Sequence, residues 1–349
     1  MWPAPVRLCC TPLSWVYGAA VRLRAWLYRA GVLPTRRLPC RVISIGNLTV
    51  GGTGKTPVAI FIVGALLAKG YRVGVLSRGY RRSGTRAMVL VSDGRKILVN
   101  PEEGGDEPVL IASRCPQAVV AVGADRFQLG RWVLNQCPLD VLVLDDGFQH
   151  LGLARDVDML LLDASARTSL EHLLPAGRLR EPLTTASRAS AFVITRSEHK
   201  EAGRDILSEL ARAGVPPRPV VRLRFVPEAV LDLHGRVAES LTHLKGRRAM
   251  IACALANPAS FRREVESLGV TVLDTFRWPD HHAYTSGDVE HLLEAARRSA
   301  AQVVLTTEKD AVKLARVAAG GALEPMARVI RLGVEVVEGQ GELDRLLAG

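Results

Sequence analysis

The chain has 349 residues, of which 48% are hydrophobic and 23% charged, so it is long enough for two folded domains and too apolar to be disordered. Its formal net charge of +11 indicates anionic partners, and nucleic acid, an anionic membrane surface and a phosphorylated substrate all meet that condition. Aromatic residues make up only 5% of the chain and do not alternate with arginines, which argues against an RNA-binding surface.

Six scattered cysteines lack C-x-x-C spacing, so no structural zinc site is expected. No run of about 18 apolar residues predicts a membrane span. Residues 13–31 nevertheless have helical periodicity, with Arg22, Arg24 and Arg29 flanking an apolar face, as in helices that lie in a bilayer interface. Packing of this helix on its own domain is the alternative, and the arginines disfavour a signal peptide. The face consists of Trp15, Val16, Ala19, Ala20, Leu23, Trp26, Leu27 and Ala30.

Residues 42–57 read as a short apolar strand, a glycine-rich loop and the start of an apolar helix. Such a loop binds phosphate because glycines let backbone N–H groups close on the anion, beside the positive end of the helix dipole. Lys55 can then reach the β- and γ-phosphates of a nucleotide, and the Thr56 hydroxyl can bind Mg²⁺. The strict pattern has glycine where this chain has Thr49, and an ordinary tight turn is the alternative reading. The predicted nucleotide-binding residues are Thr49, Val50, Gly51, Gly52, Thr53, Gly54, Lys55 and Thr56.

Apolar strands that alternate with helices follow, which predicts a parallel, doubly wound sheet with ligands at the carboxyl ends of its strands. A basic cluster that begins at Arg78 follows the strand at 72–76, and both anion contact and plain solvation stay open for it. The strand at 140–144 ends in Asp145 and Asp146, where a nucleotide enzyme needs acids to hold Mg²⁺ or its waters. A surface turn is the alternative there. Asp106 falls in a loop or a first helical turn, where an acid most often caps the helix.

The proline-rich residues 214–219 indicate a domain boundary. Strands predicted at 247–254, 270–273 and 302–306 then give a smaller α/β domain, and the alternating segments 220–226 and 328–332 are predicted to pair as a β-ribbon between the domains. An Asp-His-His run at 280–282 could hold a base, a metal or only water, and the imidazole pKa suits His281 to accept a proton near neutral pH.

Together these motifs resemble those of the tetraacyldisaccharide 4'-kinases, which act in the lipid A pathway of Gram-negative bacteria. The resemblance spans nearly the whole chain in the family's order, and the Thr49 departure is itself typical of the family. The matching motifs are Ser-Ile-Gly-Asn-Leu-Thr-Val-Gly-Gly-Thr-Gly-Lys-Thr-Pro at 44–57, Leu-Ser-Arg-Gly-Tyr at 76–80, Gly-Asp-Glu at 105–107, Asp-Asp-Gly-Phe-Gln-His at 145–150, Leu-Arg-Glu-Pro at 179–182, Pro-Asp-His-His at 279–282 and Thr-Glu-Lys-Asp at 307–310.

The resemblance implies transfer of the γ-phosphoryl group of ATP to the 4'-hydroxyl of a tetraacylated glucosamine disaccharide 1-phosphate, which gives lipid IVA. The implied fold is α/β: a P-loop-type doubly wound parallel sheet at 32–217, and a smaller α/β domain at 218–349 that is joined by the β-ribbon and closes the active-site cleft. Residues 1–31 would form the membrane-interface helix of a peripheral or monotopic enzyme on the cytoplasmic face of the inner membrane. We expect ATP and Mg²⁺ as cofactors, no nucleic acid partner and a monomer.

The resemblance also implies roles in nucleotide and metal binding. Carried over by position, Lys55 would neutralise phosphate charge and take part in catalysis with Asp145 and Asp146. Thr56, Asp146 and Glu181 are the predicted metal ligands, and the sequence leaves open which carboxylate touches Mg²⁺ directly.

On the acceptor side, Asp106 and His281 would act as an acid–imidazole pair that removes the hydroxyl proton. Arg78 and Arg180 are predicted to bind the substrate. Phosphoryl transfer requires positioning, charge neutralisation and a local base, and the motifs supply a residue for each requirement.

The competing function is a phosphate-loop ATPase that uses its nucleotide state to switch partners. Such a protein needs neither a base in a second domain nor a membrane helix, so the Asp-His-His run and residues 13–31 argue against it. A nucleic-acid ATPase would suit the positive charge, but the chain lacks an aromatic platform for bases.

Overall fold

The computed structural model describes residues 4–80, 82, 86–165, 172–198, 201–280 and 282–348. The strands are β1 (Arg41–Asn47), β2 (Val73–Ser77), β3 (Met88–Asp93), β4 (Val119–Gly123), β5 (Val141–Asp145), β6 (Val157–Asp163), β7 (Ala191–Thr195), β8 (Val220–Leu231), β9 (Val237–Glu239), β10 (Arg248–Cys253), β11 (Thr271–Arg277), β12 (Val303–Thr307) and β13 (Ala327–Glu338). The α-helices are α1 (Ala4–Arg29), α2 (Lys55–Ala68), α3 (Pro101–Gly104), α4 (Asp106–Arg114), α5 (Arg126–Leu134), α6 (Arg204–Arg212), α7 (Pro258–Ser267), α8 (Ser286–Arg298), α9 (Glu308–Ala318) and α10 (Gln340–Ala348).

The chain divides into two compact units. The first consists of Met1–Arg224 and Glu335–Gly349, and the second of Phe225–Val334. Residues 335–349 belong to the first unit because α10 is anchored there: the Arg41 guanidinium donates to the carbonyls of Leu346 and Leu347, each at 2.7 Å. The domain boundaries predicted at residues 31 and 217 stay predictions.

The sheet of the first unit has the strand order β8-β7-β6-β1-β5-β2-β4-β3. All neighbouring strands in this order are parallel except β3, which runs antiparallel to β4 at the edge. Every residue of β5 and β6 is buried, as is β1 from its second residue onward. Strands that bury consecutive residues are covered on both faces, as in doubly wound folds. This confirms the predicted fold class and places β1 in the middle of the sheet.

The second unit has a smaller parallel sheet in the order β11-β10-β12-β13. Successive residues of β10 enter two different core clusters: Met250 and Ala252 pack with residues of α8 and α9, whereas Ile251 and Cys253 pack with residues of α7. Because side chains alternate along a strand, helices cover both faces of this sheet as well. The predicted smaller α/β domain is confirmed.

Several elements differ from the expectations in detail. β8 and β13 are neighbours in the strand order, which confirms the predicted ribbon, and both are longer than the segments assigned from alternation. The edge strand β3 was not predicted, because an antiparallel strand departs from the alternation of strands and helices on which the assignment rested. Helix α1 begins at Ala4 and contains Pro12, so it is longer than the predicted 13–31 segment. In the described ranges no helix is long and apolar enough to cross a membrane.

Candidate active site

The glycine-rich loop connects the central strand β1 to helix α2. Gly54, which precedes the helix, has left-handed backbone angles (φ 82°). Gly51 also has positive φ (117°), and a Cβ atom there would lie 1.9 Å from the Arg178 guanidinium. Glycine is therefore favoured at 51 by its backbone conformation, and any larger residue would also displace the Arg178 guanidinium. The first turn of α2 contains no acidic residue. Its N-terminal backbone N–H groups therefore favour a bound anion.

Residues far along the chain hold this loop in place. The backbone N–H of Val50 donates to the Arg178 carbonyl at 2.8 Å, and Arg178 Nε donates back to the Val50 carbonyl at 3.0 Å. On the other side, the Thr195 hydroxyl at the end of β7 donates to the Thr53 carbonyl at 2.9 Å. Thr49 is buried and bridges to Leu179. The loop is thus held from two sides by the protein itself.

Lys55 lies among polar groups from the ends of β1 and β5. Its Nζ donates to Asn47 Oδ1 at 3.3 Å and lies 3.7 Å from Asp146 Oδ1. Arg180 Nη1 contacts both oxygens of Asp146, at 3.0 and 2.9 Å. Burial alone would raise the pKa of Asp146, but the charges of Lys55 and Arg180 outweigh it and lower that pKa. Two cations and one carboxylate therefore form a network directly beside the loop.

Asp145 differs from its neighbour. It is buried and accepts a hydrogen bond from Ser77 Oγ, at the end of β2, at 3.0 Å. Its second oxygen, Oδ1, has no hydrogen-bond partner among the described residues. Burial, followed by the charges of Glu107 and Asp146, raises the pKa of Asp145. A buried, unsatisfied carboxylate oxygen is costly, so this atom is suited to coordinate a cation or to accept a hydrogen bond from a water bound to it.

Glu181, a predicted metal ligand, is buried and paired with Arg188 at 2.5 Å. Arg188 also donates to the Phe148 carbonyl at 3.2 Å and lies over the Phe148 ring at 4.5 Å. The Glu181 charge is thus neutralised within the protein, and contact with a metal stays a prediction.

The remaining predicted residues are placed as follows. Asp106 is the first residue of α4, and Gly105 (φ 90°) is the residue that caps the helix instead. Arg78 follows β2 and is exposed, whereas residue 81 of the basic cluster lies outside the described residues. His281 also lies outside the described residues. Its neighbour Asp280 pairs with Lys309 at 2.8 Å, within the second unit.

Helix α1 contacts the first unit through its small and polar side. The buried Ser14 hydroxyl donates to the Leu173 carbonyl and accepts from the Ala176 N–H, both at 3.0 Å, and Tyr17 Oη donates to the Arg180 carbonyl at 2.8 Å. The apolar face predicted from the sequence points to solvent, with Trp15 72% and Trp26 56% exposed. The helix therefore packs on the first unit through one side and exposes its apolar face to solvent on the other.

Residues 6–349 match the family of tetraacyldisaccharide-1-P 4'-kinases. The chain belongs to this family. It is 42% identical over 345 residues to the tetraacyldisaccharide 4'-kinase of Anaeromyxobacter sp. (strain K), which covers 99% of this chain and 89% of that protein. The kinase of the same name from Syntrophus aciditrophicus (strain SB) is 40% identical over 321 residues, or 89% of this chain and 85% of that protein.

A solved structure agrees with this assignment. The crystal structure of the "apo" form of LpxK from Aquifex aeolicus in complex with ATP superposes with a TM-score of 0.76 at 31% identity, and the match covers 98% of each chain. The family fold therefore extends over both units of this chain.

Four polar residues of the site were not singled out from the sequence. Asn47 and Ser77 end β1 and β2, and Gln149 joins the network by donating to the Asn47 carbonyl at 2.9 Å. Arg126, after β4, is buried and donates to the carbonyls of Gly123 and Ala124, and burial lowers its pKa to about 10. Their position at or after the carboxyl ends of parallel strands of the first unit was the signal that could have identified them.

Proposed function

We propose that this chain transfers the γ-phosphoryl group of ATP to the 4'-hydroxyl of a tetraacyldisaccharide 1-phosphate. The observation that carries the proposal is the preformed phosphate-binding loop with Lys55 beside Asp146, in a chain whose full length matches the tetraacyldisaccharide 4'-kinases. The acceptor oxygen forms a bond to the γ-phosphorus, the bond to the β,γ-bridging oxygen breaks, ADP leaves and the hydroxyl proton passes to a base.

The loop and Lys55 are suited to the triphosphate end of ATP. The N–H groups at the start of α2 face the loop, and Lys55 supplies a positive charge where the β- and γ-phosphates would lie. Asp146 pairs with Lys55 and also with Arg180. We infer that Lys55 pairs with the phosphates when nucleotide binds, and that this contact replaces part of its pairing with Asp146.

The residues present fit a magnesium ion that is bound mainly by the nucleotide. No group of three histidine, cysteine or acidic side chains converges among the described residues, so a dedicated protein cage is not the arrangement. Mg²⁺ in kinase sites usually keeps waters and takes one or two protein oxygens besides phosphate. The Thr56 hydroxyl, Asp146 and the unsatisfied Oδ1 of Asp145 supply such oxygens. Bound there, the metal would neutralise charge that develops on the phosphates.

We assign proton removal to His281 with Asp106 as its acidic partner. His281 follows Asp280 in the second unit, and Asp106 begins α4 in the first. The proposal requires an imidazole that is neutral near pH 7, which the ordinary histidine pKa provides. Arg78 and Arg180 are proposed to contact the anionic acceptor, and the exposure of Arg78 is compatible with that role.

We further propose that α1 docks the enzyme on the cytoplasmic face of the inner membrane, as a monomer. The exposed Trp15 and Trp26 are amphipathic side chains of the kind that settle at the level of lipid headgroups. Arg22, Arg24 and Arg29 border the same face and can reach anionic headgroups. Docking there would bring the loop toward an acceptor whose acyl chains stay in the bilayer.

The decisive experiment is a transfer assay with labelled ATP and tetraacyldisaccharide 1-phosphate in detergent micelles. We expect label in the lipid product, dependence on Mg²⁺, and ADP release in proportion to product. ATP hydrolysis without a labelled lipid would reject the kinase proposal and favour the partner-switching ATPase. An acceptor that lacks acyl chains tests whether the enzyme recognises the sugar or requires the lipid.

A further inference from the structure

One carboxylate in the second unit, that of Asp288, is shared by several groups. Helix α8 begins after Thr285, and Asp288 Oδ2 accepts from the Thr285 N–H and from the Thr285 hydroxyl, both at 2.8 Å. The Asp288 N–H donates back to Thr285 Oγ1 at 3.2 Å. These bonds form a capping box, which accounts for one oxygen of Asp288 as a helix cap.

Two further groups reach the same carboxylate from outside the helix. Trp278 Nε1 donates to Asp288 Oδ1 at 2.9 Å, and His282 Nε2 lies 3.0 Å from Asp288 Oδ2. A capping box requires neither contact. Trp278 and His282 stand immediately before and after residues 279–281, so both ends of that segment are tied to the two oxygens of one side chain.

Ring packing and backbone bonds reinforce this arrangement. The rings of Trp278 and His282 are stacked with centroids 5.8 Å apart, and the buried Tyr284 packs edge-on against both, at 5.1 and 5.2 Å. The Trp278 N–H donates to the Cys253 carbonyl at the end of β10 at 3.1 Å, and the His282 N–H donates to the Pro279 carbonyl at 3.0 Å. The segment is therefore anchored to the sheet through Trp278.

The charge of Asp288 suits this role. Burial alone would raise the pKa of Asp288, but hydrogen bonds from His282, Thr285 and Trp278 outweigh it and hold that pKa below the ordinary range of an aspartate. The carboxylate is ionised and can only accept hydrogen bonds. His282 Nε2 is therefore the protonated nitrogen, which fixes the orientation of the ring next to residue 281.

We propose that Asp288 is a positioning residue for residues 279–281, and thereby for His281, without touching the reacting atoms itself. The inference rests on the proposed function, in which His281 is the base. It goes beyond that function by assigning the placement of the base to a helix-capping carboxylate and its contacts with Trp278 and His282. A displacement of about 1 Å at a reacting group can lower a rate about 100-fold, so the loss of this anchor should appear in kcat.

The test begins with Asp288→Asn, which keeps the size of the side chain but replaces one accepting oxygen by a donor. We expect kcat for lipid phosphorylation to fall about 10- to 100-fold. We expect KM for ATP to stay within about twofold, because the phosphate-binding loop belongs to the other unit. Trp278→Phe, which keeps an aromatic ring but removes the indole N–H together with part of the ring, should lower kcat in the same direction by a smaller factor.

Asp232→Asn is a matched control in the same unit. Asp232 also uses both oxygens, which accept from the N–H groups of His234 and Arg236 at 2.9 and 3.0 Å and from Arg236 Nε at 2.8 Å. Its side chain is 25% exposed, against 21% for Asp288. It orders the turn after β8 and is not part of the proposed machinery. We expect this variant to keep its kcat.

The second step adds His281→Ala to both Asp288→Asn and Asp232→Asn. If Asp288 acts through His281, the added change should cost little in the first background and its full factor in the second. Full multiplication of the two losses would overturn the inference, as would wild-type turnover of Asp288→Asn or an equal loss in Asp232→Asn. If the wild type labels no lipid, the proposed function fails. A wild type that is active while His281→Ala has normal turnover leaves the kinase intact but overturns the base assignment and this inference with it.

Discussion

The two units hold their candidate reactive residues by different means. In the first unit the loop and the acidic pair follow β1 and β5, strands buried in the middle of the sheet, so the backbone sets their positions. In the second unit residues 278–285 follow β11, an edge strand whose residues are half-buried or exposed. There the side chains of Trp278 and His282, on either side of the proposed base, are bonded to Asp288. The phosphate-binding loop is therefore positioned by core strands, whereas the residues that flank the proposed base are held by side-chain hydrogen bonds and ring packing.

This comparison predicts that the largest loss of activity comes from the first unit. Lys55→Ala removes the cation between Asn47 and Asp146, and we expect kcat/KM for lipid phosphorylation to fall about 10³-fold. Circular dichroism and thermal unfolding should change little, because the loop is held by backbone bonds that do not involve the Lys55 side chain. Steady-state assays with labelled ATP provide the measurement.

Lys69→Ala is the control for that variant. Lys69 caps the other end of α2 and pairs with Asp344 at 3.1 Å on the surface. Exposed ion pairs contribute little to stability, so this change should leave activity near the wild-type level. Equal losses of activity in the two variants would mean that each substitution acts by disturbing α2, and not by removing a charge that contacts phosphate.

The second prediction tests whether the first unit binds the nucleotide while the second supplies the base. His281→Ala should lower kcat about 100-fold, because a positioned base contributes at least that factor, while KM for ATP stays within about twofold. His243, exposed in the 3₁₀ turn Leu241–Leu244 of the same unit, is the matched control, and His243→Ala should be fully active. A rise in KM for ATP without a change in kcat would assign His281 to nucleotide binding and erase the proposed division.

The same contrast explains what the sequence could predict. Apolar runs followed by glycine or acid identify β1, β5 and the residues just after them, because backbone geometry places whatever follows such a strand at the sheet edge. Hydrophobic periodicity does not indicate that Arg178 approaches Gly51 or that Trp278 donates a hydrogen bond to Asp288. Strand β3 was missed since its antiparallel pairing lies outside the βα alternation, and the return of α10 to the first unit depends on contacts with residues far away in the chain, such as Arg41 and Lys69.

The units also differ in their exposed apolar residues, which gives a third prediction. Among the described side chains of α1, five large apolar ones are exposed, whereas the exposed large apolar residues described in the second unit, Val237 and Leu273, lie on two different strands. Replacing Trp15 and Trp26 together by Ser should weaken binding to anionic phospholipid vesicles about tenfold or more, since each buries apolar surface only when the helix is docked.

Vesicle sedimentation measures this effect, and Val237→Ser, which removes a side chain that is 75% exposed, is the control. Transfer to a micellar acceptor should decline with vesicle binding in the double tryptophan variant, while hydrolysis or exchange at the nucleotide site should not. If the double tryptophan variant sediments with vesicles as the wild type does, the apolar face of α1 does not dock the protein on the membrane.

The smallest predicted effect concerns the pH dependence of stability in the first unit. Burial, with the charge of Arg126, lowers the pKa of His150 to about 4, from an ordinary value of 6.5. Between these pH values the unfolded chain binds a proton at this residue and the folded chain does not. The stability contributed by neutral His150 is therefore complete above pH 6.5 and is lost as the pH falls toward 4. His150→Gln should make the free energy of unfolding in urea less dependent on pH over this range, whereas the exposed control His243→Gln should not. If both variants retain the wild-type slope between pH 7 and 5, folding does not lower the pKa of the half-buried His150, and the prediction is wrong.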